Sequence, residues 1–124
     1  MKQHKEILLL EDEQVVREVL SQALSQLDGV KVWAFSKPSD ALSFFRVNPR
    51  IALVITDFRM PGMDGIEFAR QLRSTHAGVP IVCVTGFMDA LYDLTIFDGH
   101  LRKPVEVAEV QELVLRHLGL PGPN

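Results

Sequence analysis

The stretch Val54-Ile-Thr-Asp-Phe-Arg-Met-Pro-Gly-Met-Asp-Gly65 divides at Asp57. Before that residue runs an apolar segment with β-branched members, the pattern of a buried strand. After it, Pro61, Gly62 and Gly65 crowd into a few positions and mark a loop. A strand therefore carries one carboxylate to its own end. Such a carboxylate can hold a metal ion or attack as a nucleophile, and the other segments are weighed by what they bring to it.

Towards the N-terminus, Ile7–Leu10 is a short continuous apolar run, a strand covered on both faces, and it leads into Glu11-Asp12-Glu13. The spacing of Val15, Val16, Val19, Leu20, Ala23, Leu24 and Leu27 predicts an amphipathic helix over Gln14–Leu27, stopped by Asp28-Gly29. Lys31–Phe35 predicts a second strand, with Trp33 partly buried. Ser36-Lys-Pro-Ser39 opens a helix with Pro38 in its first turn, Ala41, Leu42 and Phe45 facing inward, and Asn48-Pro49 as its end. The third strand, Ile51–Thr56, hands over to Asp57.

Towards the C-terminus, Gly65–Ser74 predicts a helix with Ile66, Ala69 and Leu72 inward, started by Asp64 as its cap and broken by Gly78. Val79–Val84 is a fourth strand ending at Thr85-Gly86, and Met88–Thr95 predicts a short helix. His100–Arg102 is a brief fifth strand closed by Lys103-Pro104, and Glu106–Leu118 a last helix on Val107, Val110, Leu113, Val114 and Leu118. Strands alternating five times with helices define an α/β fold, a single (βα)5 doubly wound domain. Its sheet is parallel, with helices on both faces. Residues 1–119 are expected to form the domain, and 120–124 a tail or the start of a linker.

Composition agrees with one domain: 124 residues, 47% hydrophobic and 23% charged. No apolar run reaches the roughly 20 residues a bilayer requires, and the first residues lack a signal-peptide core. The expected location is the cytoplasm. A net charge of −3, with scattered basic residues, argues against direct nucleic-acid binding. The single cysteine, Cys83, excludes an internal disulfide and a cysteine-based zinc site, and it reads as a buried strand residue. His4, His76 and His117 share no metal-ligand spacing and read as surface residues.

Parallel sheets of this kind bind ligands beyond the carboxyl ends of their strands. At those ends stand Glu11 and Asp12, Asp57, Thr85 and Lys103. Three carboxylates together invite a hard divalent cation, Mg²⁺ or Mn²⁺. A cation on Asp57 would draw in a phosphorylated donor, whose phosphorus the free carboxylate oxygen could attack. Lys103, the Thr85 hydroxyl and nearby backbone N–H groups could neutralise the phosphoryl oxygens, and Gly86 leaves room for a tetrahedral group.

On Leu10-Glu-Asp-Glu13, Asp57-Phe-Arg-Met-Pro-Gly-Met-Asp-Gly65, Val84-Thr-Gly86 and Lys103-Pro104, the chain resembles a receiver domain of two-component response regulators over essentially its whole length. The resemblance implies a flavodoxin-like fold with strand order 2-1-3-4-5. It implies Asp57 as phosphoacceptor, and Mg²⁺ held by Asp12, Asp57 and the backbone carbonyl of Arg59, with Glu11 acting at the metal through water. Thr85 and Lys103 would bind the phosphoryl oxygens. The donor would be a phosphohistidine on a histidine kinase or phosphotransfer domain, and the readout a downstream output protein or domain, with a homodimer among the outcomes. In that role the chain is a signalling domain, not an enzyme acting on a metabolite. The competing reading is a binding module of the same fold that signals by contact without phosphorylation. A haloacid-dehalogenase enzyme would need a second acid where Arg59 stands, and no glycine-rich nucleotide loop follows a strand.

The chain departs from the family pattern in three respects. His100 stands where an aromatic switch residue is usual, and Phe97 is nearby to supply a ring. Thr85 and Lys103 are about one helical turn closer than usual, so the fourth helix is expected to be short, irregular or displaced. This points to a modified route of signalling through Thr85 and His100. Arg59 and Phe87 border the phosphoryl position, where Arg59 could pair with phosphate and Phe87 could exclude water, prolonging the phosphoform.

Overall fold

The computed structural model describes residues 4–122. Five strands, β1 (Lys5–Leu10), β2 (Val30–Phe35), β3 (Ile51–Asp57), β4 (Ile81–Thr85) and β5 (Gly99–Arg102), form one sheet in the order β2-β1-β3-β4-β5. Every adjacent pair is parallel. Three α-helices connect strands, α1 (Gln14–Ser25), α2 (Pro38–Arg46) and α3 (Gly65–Thr75), and a fourth, α4 (Val107–Leu118), follows β5. The α/β class, the parallel sheet and the strand order expected from the sequence are all present.

The sheet separates two cores. Ile7, Leu9, Leu53, Ile55, Val82, Val84 and Leu101 point to the side of α1 and α4, where they meet Leu20, Leu24, Val110, Val114 and Leu118. Leu8, Leu10, Val54, Ile81 and Cys83 point to the side of α2 and α3, where Phe45, Phe68, Leu72 and Phe97 pack. Each fully buried Leu, Ile or Phe contributes about 1.5–3 kcal/mol relative to exposure. Leu53, Val54 and Ile55 are fully buried, so β3 is a rigid stem beneath Asp57. Cys83 is buried as expected.

Helical periodicity overstated two faces. Val15 and Val19 are exposed on α1, and Val107 is exposed on α4. Leu27 packs beyond the end of α1. His76 is exposed, but His117 is half-buried, its Nε2 lying 3.3 Å from where a Cβ on Gly99 would stand.

The helix expected over Met88–Thr95 is not formed. A five-residue 3₁₀ turn, Phe87–Leu91, takes its place, and an irregular segment with a turn at Thr95–Ile96 follows. Side chains here satisfy the backbone locally. Asp89 Oδ2 accepts the Gly86 N–H at 2.6 Å, and Asp93 Oδ1 accepts both the N–H and the hydroxyl of Thr95, at 3.1 and 2.7 Å. Such bonds compete with a helical ladder. Arg73 of α3 ties this irregular segment down. It donates to the carbonyls of Ala77, Val79 and Ile96 and to Asp98 Oδ2, all within 3.0 Å. Asp98 Oδ2 also accepts the Ile81 N–H at 2.7 Å. Thus β5 is reached without a fourth intervening α-helix.

Candidate functional site

Asp57 closes β3 and is 4% exposed. Its Oδ1 accepts the Phe58 N–H at 2.9 Å, and its Oδ2 lies 3.1 Å from Lys103 Nζ. The loop that follows is held close. Asp64 caps α3 by accepting the Glu67 N–H at 2.9 Å, and the Gly65 N–H donates to the Phe58 carbonyl at 2.7 Å. A Cβ on Gly65 would stand 3.0 Å from the Asp57 carbonyl oxygen and 3.1 Å from Phe58 Cα. Both distances are tighter than ordinary Cβ contacts, so glycine suits the approach and α3 begins directly against the residue it serves. Gly62, at φ +82°, supplies the left-handed turn in the same loop.

Glu11 and Asp12 arrive from the end of β1. Carboxylate oxygens of Glu11, Asp12 and Asp57 all lie within 4.8 Å of one another. Glu11 is 1% exposed; its Oε2 accepts the Glu13 N–H at 3.1 Å, while its Oε1 is buried without a hydrogen-bond donor. Arg17 donates to the Glu11 backbone carbonyl at 2.9 Å and steadies the turn. Burial drives the Glu11 carboxyl from its ordinary 4.5 up to about 7, with the negative charge of Asp57 adding to the rise. Burial also raises Asp57, against the pull of the Lys103 ammonium. Burial opposes the charge on Lys103, but the attraction of Asp57 and Glu11 outweighs it and the ammonium is held above its usual value.

Three convergent carboxylates facing one ammonium leave negative charge uncompensated. An orphaned buried oxygen on Glu11 is a further opening for a cation. The donor set, all oxygen, fits a hard divalent ion such as Mg²⁺. The cluster could hold one.

The lysine arrives from the end of β5. Its backbone N–H donates to the Thr85 carbonyl at 2.8 Å, fixing β5 against β4, and a cis bond joins it to Pro104. A cleft of about 280 Å³ opens over Asp57 and Lys103, walled by Arg59, Gly86, Met88 and Asp89. Thr85 lies outside that wall. It lines an adjoining cavity of about 330 Å³ with Gly86, Leu94, His100 and Arg102. His100 is exposed on β5, and its ring meets the buried Phe97 edge-on at 6.1 Å. The relay pair expected from the sequence, Thr85 and His100, thus shares one cavity. The side chain of Phe87 lies outside the described residues.

Sequence reasoning missed Asp89. This carboxylate is 2% exposed. Besides accepting the Gly86 N–H, it has Arg59 Nε 2.8 Å from its Oδ1. That contact is an ion pair whose alignment is too poor for a hydrogen bond. The Arg59 guanidinium lies 5.9 Å from the ring centres of both Phe58 and Tyr92.

The parallel order β2-β1-β3-β4-β5 and the acid cluster at its carboxyl edge define a receiver-type signalling domain. A family model described as "Response regulator receiver domain" matches residues 7–115, and the chain belongs to that family. Among curated relatives, it is 39% identical over 82 residues to the cyclic di-GMP phosphodiesterase response regulator RpfG of Xanthomonas campestris, covering 64% of this chain and 21% of that protein. It is 31% identical to the transcriptional regulatory protein CseB of Streptomyces avermitilis, covering all of this chain and 55% of that protein. The chain therefore spans between about a fifth and half of these relatives. Among solved structures, the receiver domain of a Pseudomonas aeruginosa sensor histidine kinase superimposes with a TM-score of 0.84 at 29% identity, covering 94% of this chain and 98% of that one. That structure has a magnesium ion coordinated in its active-site cleft. A receiver domain protein from Clostridium thermocellum gives 0.83 at 25% identity, covering 92% and 94%.

Proposed function

We propose that this receiver domain accepts a phosphoryl group on Asp57 from a phosphohistidine of a histidine kinase or phosphotransfer domain. The observation that carries the reading is the Asp57 carboxylate at a strand end, ion-paired to Lys103 and faced by Glu11 and Asp12. An Asp57 oxygen attacks phosphorus, the N–P bond of the donor breaks, and the imidazole leaves with the electron pair and takes up a proton. The product is an acyl phosphate on Asp57. Lys103 supplies a positive charge to the transferring group, and in doing so gives up its direct pair with Asp57. The Gly86 N–H is a further donor at the cleft. Thr85, which lines the His100 cavity rather than the cleft, would have to bring its hydroxyl to the phosphoryl group, with Thr85 and His100 as the switch pair.

Glu11, Asp12, Asp57 and the Arg59 backbone carbonyl are the residues that would hold Mg²⁺ or Mn²⁺. When bound, the ion would neutralise charge on the phosphoryl oxygens. The donor domain would approach across an apolar groove of about 540 Å³ beside Lys103, lined by Val15, Val16, Val19, Leu20, Pro104 and Val105. That surface gives the exposed valines of α1 a use. Residues 1–119 would act as the domain, with 120–124 a tail or the start of a linker. None of the helices among the described residues is long and apolar enough to cross a membrane, and a cytoplasmic setting suits a kinase-coupled receiver.

Incubation with acetyl phosphate and Mg²⁺, followed by intact mass measurement, tests the reading. One phosphoryl adduct is expected, lost in Asp57→Asn and on chelation of the metal. No adduct from acetyl phosphate or from a phosphohistidine donor would favour a contact-only binding module.

A further inference from the structure

The cleft over Asp57 already contains an anion bound by the groups that a phosphoryl group would need. Asp89 is almost fully buried, and a desolvated carboxylate must be compensated. Among the described residues its compensating contacts are a hydrogen bond from the Gly86 N–H at 2.6 Å and the ion pair with Arg59 at 2.8 Å. Both partners wall the cleft that contains Asp57 and Lys103. Arg59 is 60% exposed and the carboxylate 3%, so the arginine is the half of the pair free to turn. Asp89 itself stands on a 3₁₀ turn of five residues, which has few backbone bonds to break.

We infer that Asp89 is an internal stand-in for the phosphoryl group, a positioning residue that occupies Gly86 N–H and Arg59 until Asp57 is phosphorylated. The inference rests on the phosphoacceptor reading above and names a control on that same site. Two anions compete for one set of donors. A phosphoryl group arriving at Asp57 carries more charge than a carboxylate and captures the Gly86 N–H and the guanidinium. Asp89 is then left buried and uncompensated, and it turns outward. The 3₁₀ turn moves with it, carrying the exposed side chains of Met88, Leu91 and Tyr92. Asp89 thus opposes phosphorylation and couples it to movement of the segment that replaces a helix. The buried Phe58 ring, 5.9 Å from the guanidinium and outside the moving turn, keeps Arg59 at the mouth of the cleft in either pairing.

The test compares wild type, Asp89→Ala, Asp89→Asn, Arg59→Ala and the double variant R59A/D89A. Each is given sub-saturating acetyl phosphate with Mg²⁺, and labelling of Asp57 is followed by intact mass. Freeing a charge-assisted donor corresponds to about a tenfold effect. Asp89→Ala is expected to label about tenfold faster than wild type. Asp89→Asn keeps an acceptor for Gly86 but not the charge, and is expected to label about threefold faster; it serves as the comparison if the alanine variant does not fold. Removing Arg59 is expected to slow the Asp89→Ala protein about tenfold and wild type less than threefold. A merely structural Asp89 gives the opposite sign, slower labelling on its removal, and that result overturns the inference. Labelling of wild type with no gain in either Asp89 variant overturns the inference alone. Absence of label in every protein overturns the phosphoacceptor reading and this inference with it.

Discussion

Asp57 and Lys103 are held at 3.1 Å with the carboxylate 5% exposed, and each limits what can replace the other. In Lys103→Met the Asp57 charge loses its nearest compensation among the described residues. Labelling by acetyl phosphate is expected to fall at least about 100-fold, since a charge-assisted contact to the transferring group disappears; comparison of initial rates checks it. Gly65→Ala probes the other side of the same residue. Its Cβ would press on backbone atoms of Asp57 and Phe58, which cannot rotate away. A loss of about 1–3 kcal/mol in urea unfolding is expected, together with slower labelling; an unchanged midpoint would show that the α3 start has slack. Asp57 and Asp12 were legible in the sequence because an apolar run ends abruptly at each, and Lys103 because it stands before Pro104 after a short strand. Asp89 was not. Its importance depends on one bond back to Gly86 and on burial, and neither leaves a periodic trace.

Between residues and fold, the segment from Phe87 to Asp98 is where pattern reading and structure part. Met88, Leu91 and Leu94 mimic half a helical face, but Met88 and Leu91 are exposed and the segment is anchored through Phe97 and Asp98 instead. Long helices and buried strands were readable because many residues repeat one message. A stretch of twelve residues held by Asp and Arg contacts was readable only as a helix that had to be short, irregular or displaced. Arg73 is the test at this scale. It makes four hydrogen bonds, three to carbonyls and one to Asp98. Arg73→Ala is expected to cost about 2–4 kcal/mol, as bonds to charged groups contribute about 1.5–3 kcal/mol each and water replaces some of them. The Ile81 and Asp98 amides should exchange faster with deuterium than those of β1 and β3. Uniform exchange loss across the sheet would instead mean that the clamp supports the whole fold.

For the molecule as a whole, the buried acid cluster sets a pH dependence. Glu11 titrates near 7 in the folded chain against an ordinary 4.5. Between those values the folded state binds more protons than the unfolded one, so stability falls as pH rises from about 4.5 to 7. Each pH unit of that interval costs at most about 1.4 kcal/mol. Asp98 works the other way. The Ile81 N–H and the Arg73 guanidinium outweigh its burial and lower its value, so its contribution is lost as pH falls through the acid range. The two are separated by comparing thermal unfolding of wild type and Glu11→Gln in chelator. The decline towards pH 7 should vanish in the variant. Millimolar Mg²⁺ should stabilise wild type strongly at pH 8 and little at pH 5, because a cation binds the ionised cluster. A flat profile in wild type would mean that Glu11 is not trapped by burial.

The sheet ends on β2 and β5, and β5 has only four residues, with His100 and Arg102 exposed. An outermost strand is a template on which another chain can add, and the hazard grows with its length and apolar character. Brevity and a fixed positive charge reduce that hazard here, as the exposed Lys31 does on β2. Arg102 therefore acts as a gatekeeper against self-association through the backbone. Replacing it with valine would extend an apolar edge beside Leu101, and the first symptom would be a protein that remains folded yet precipitates on concentration.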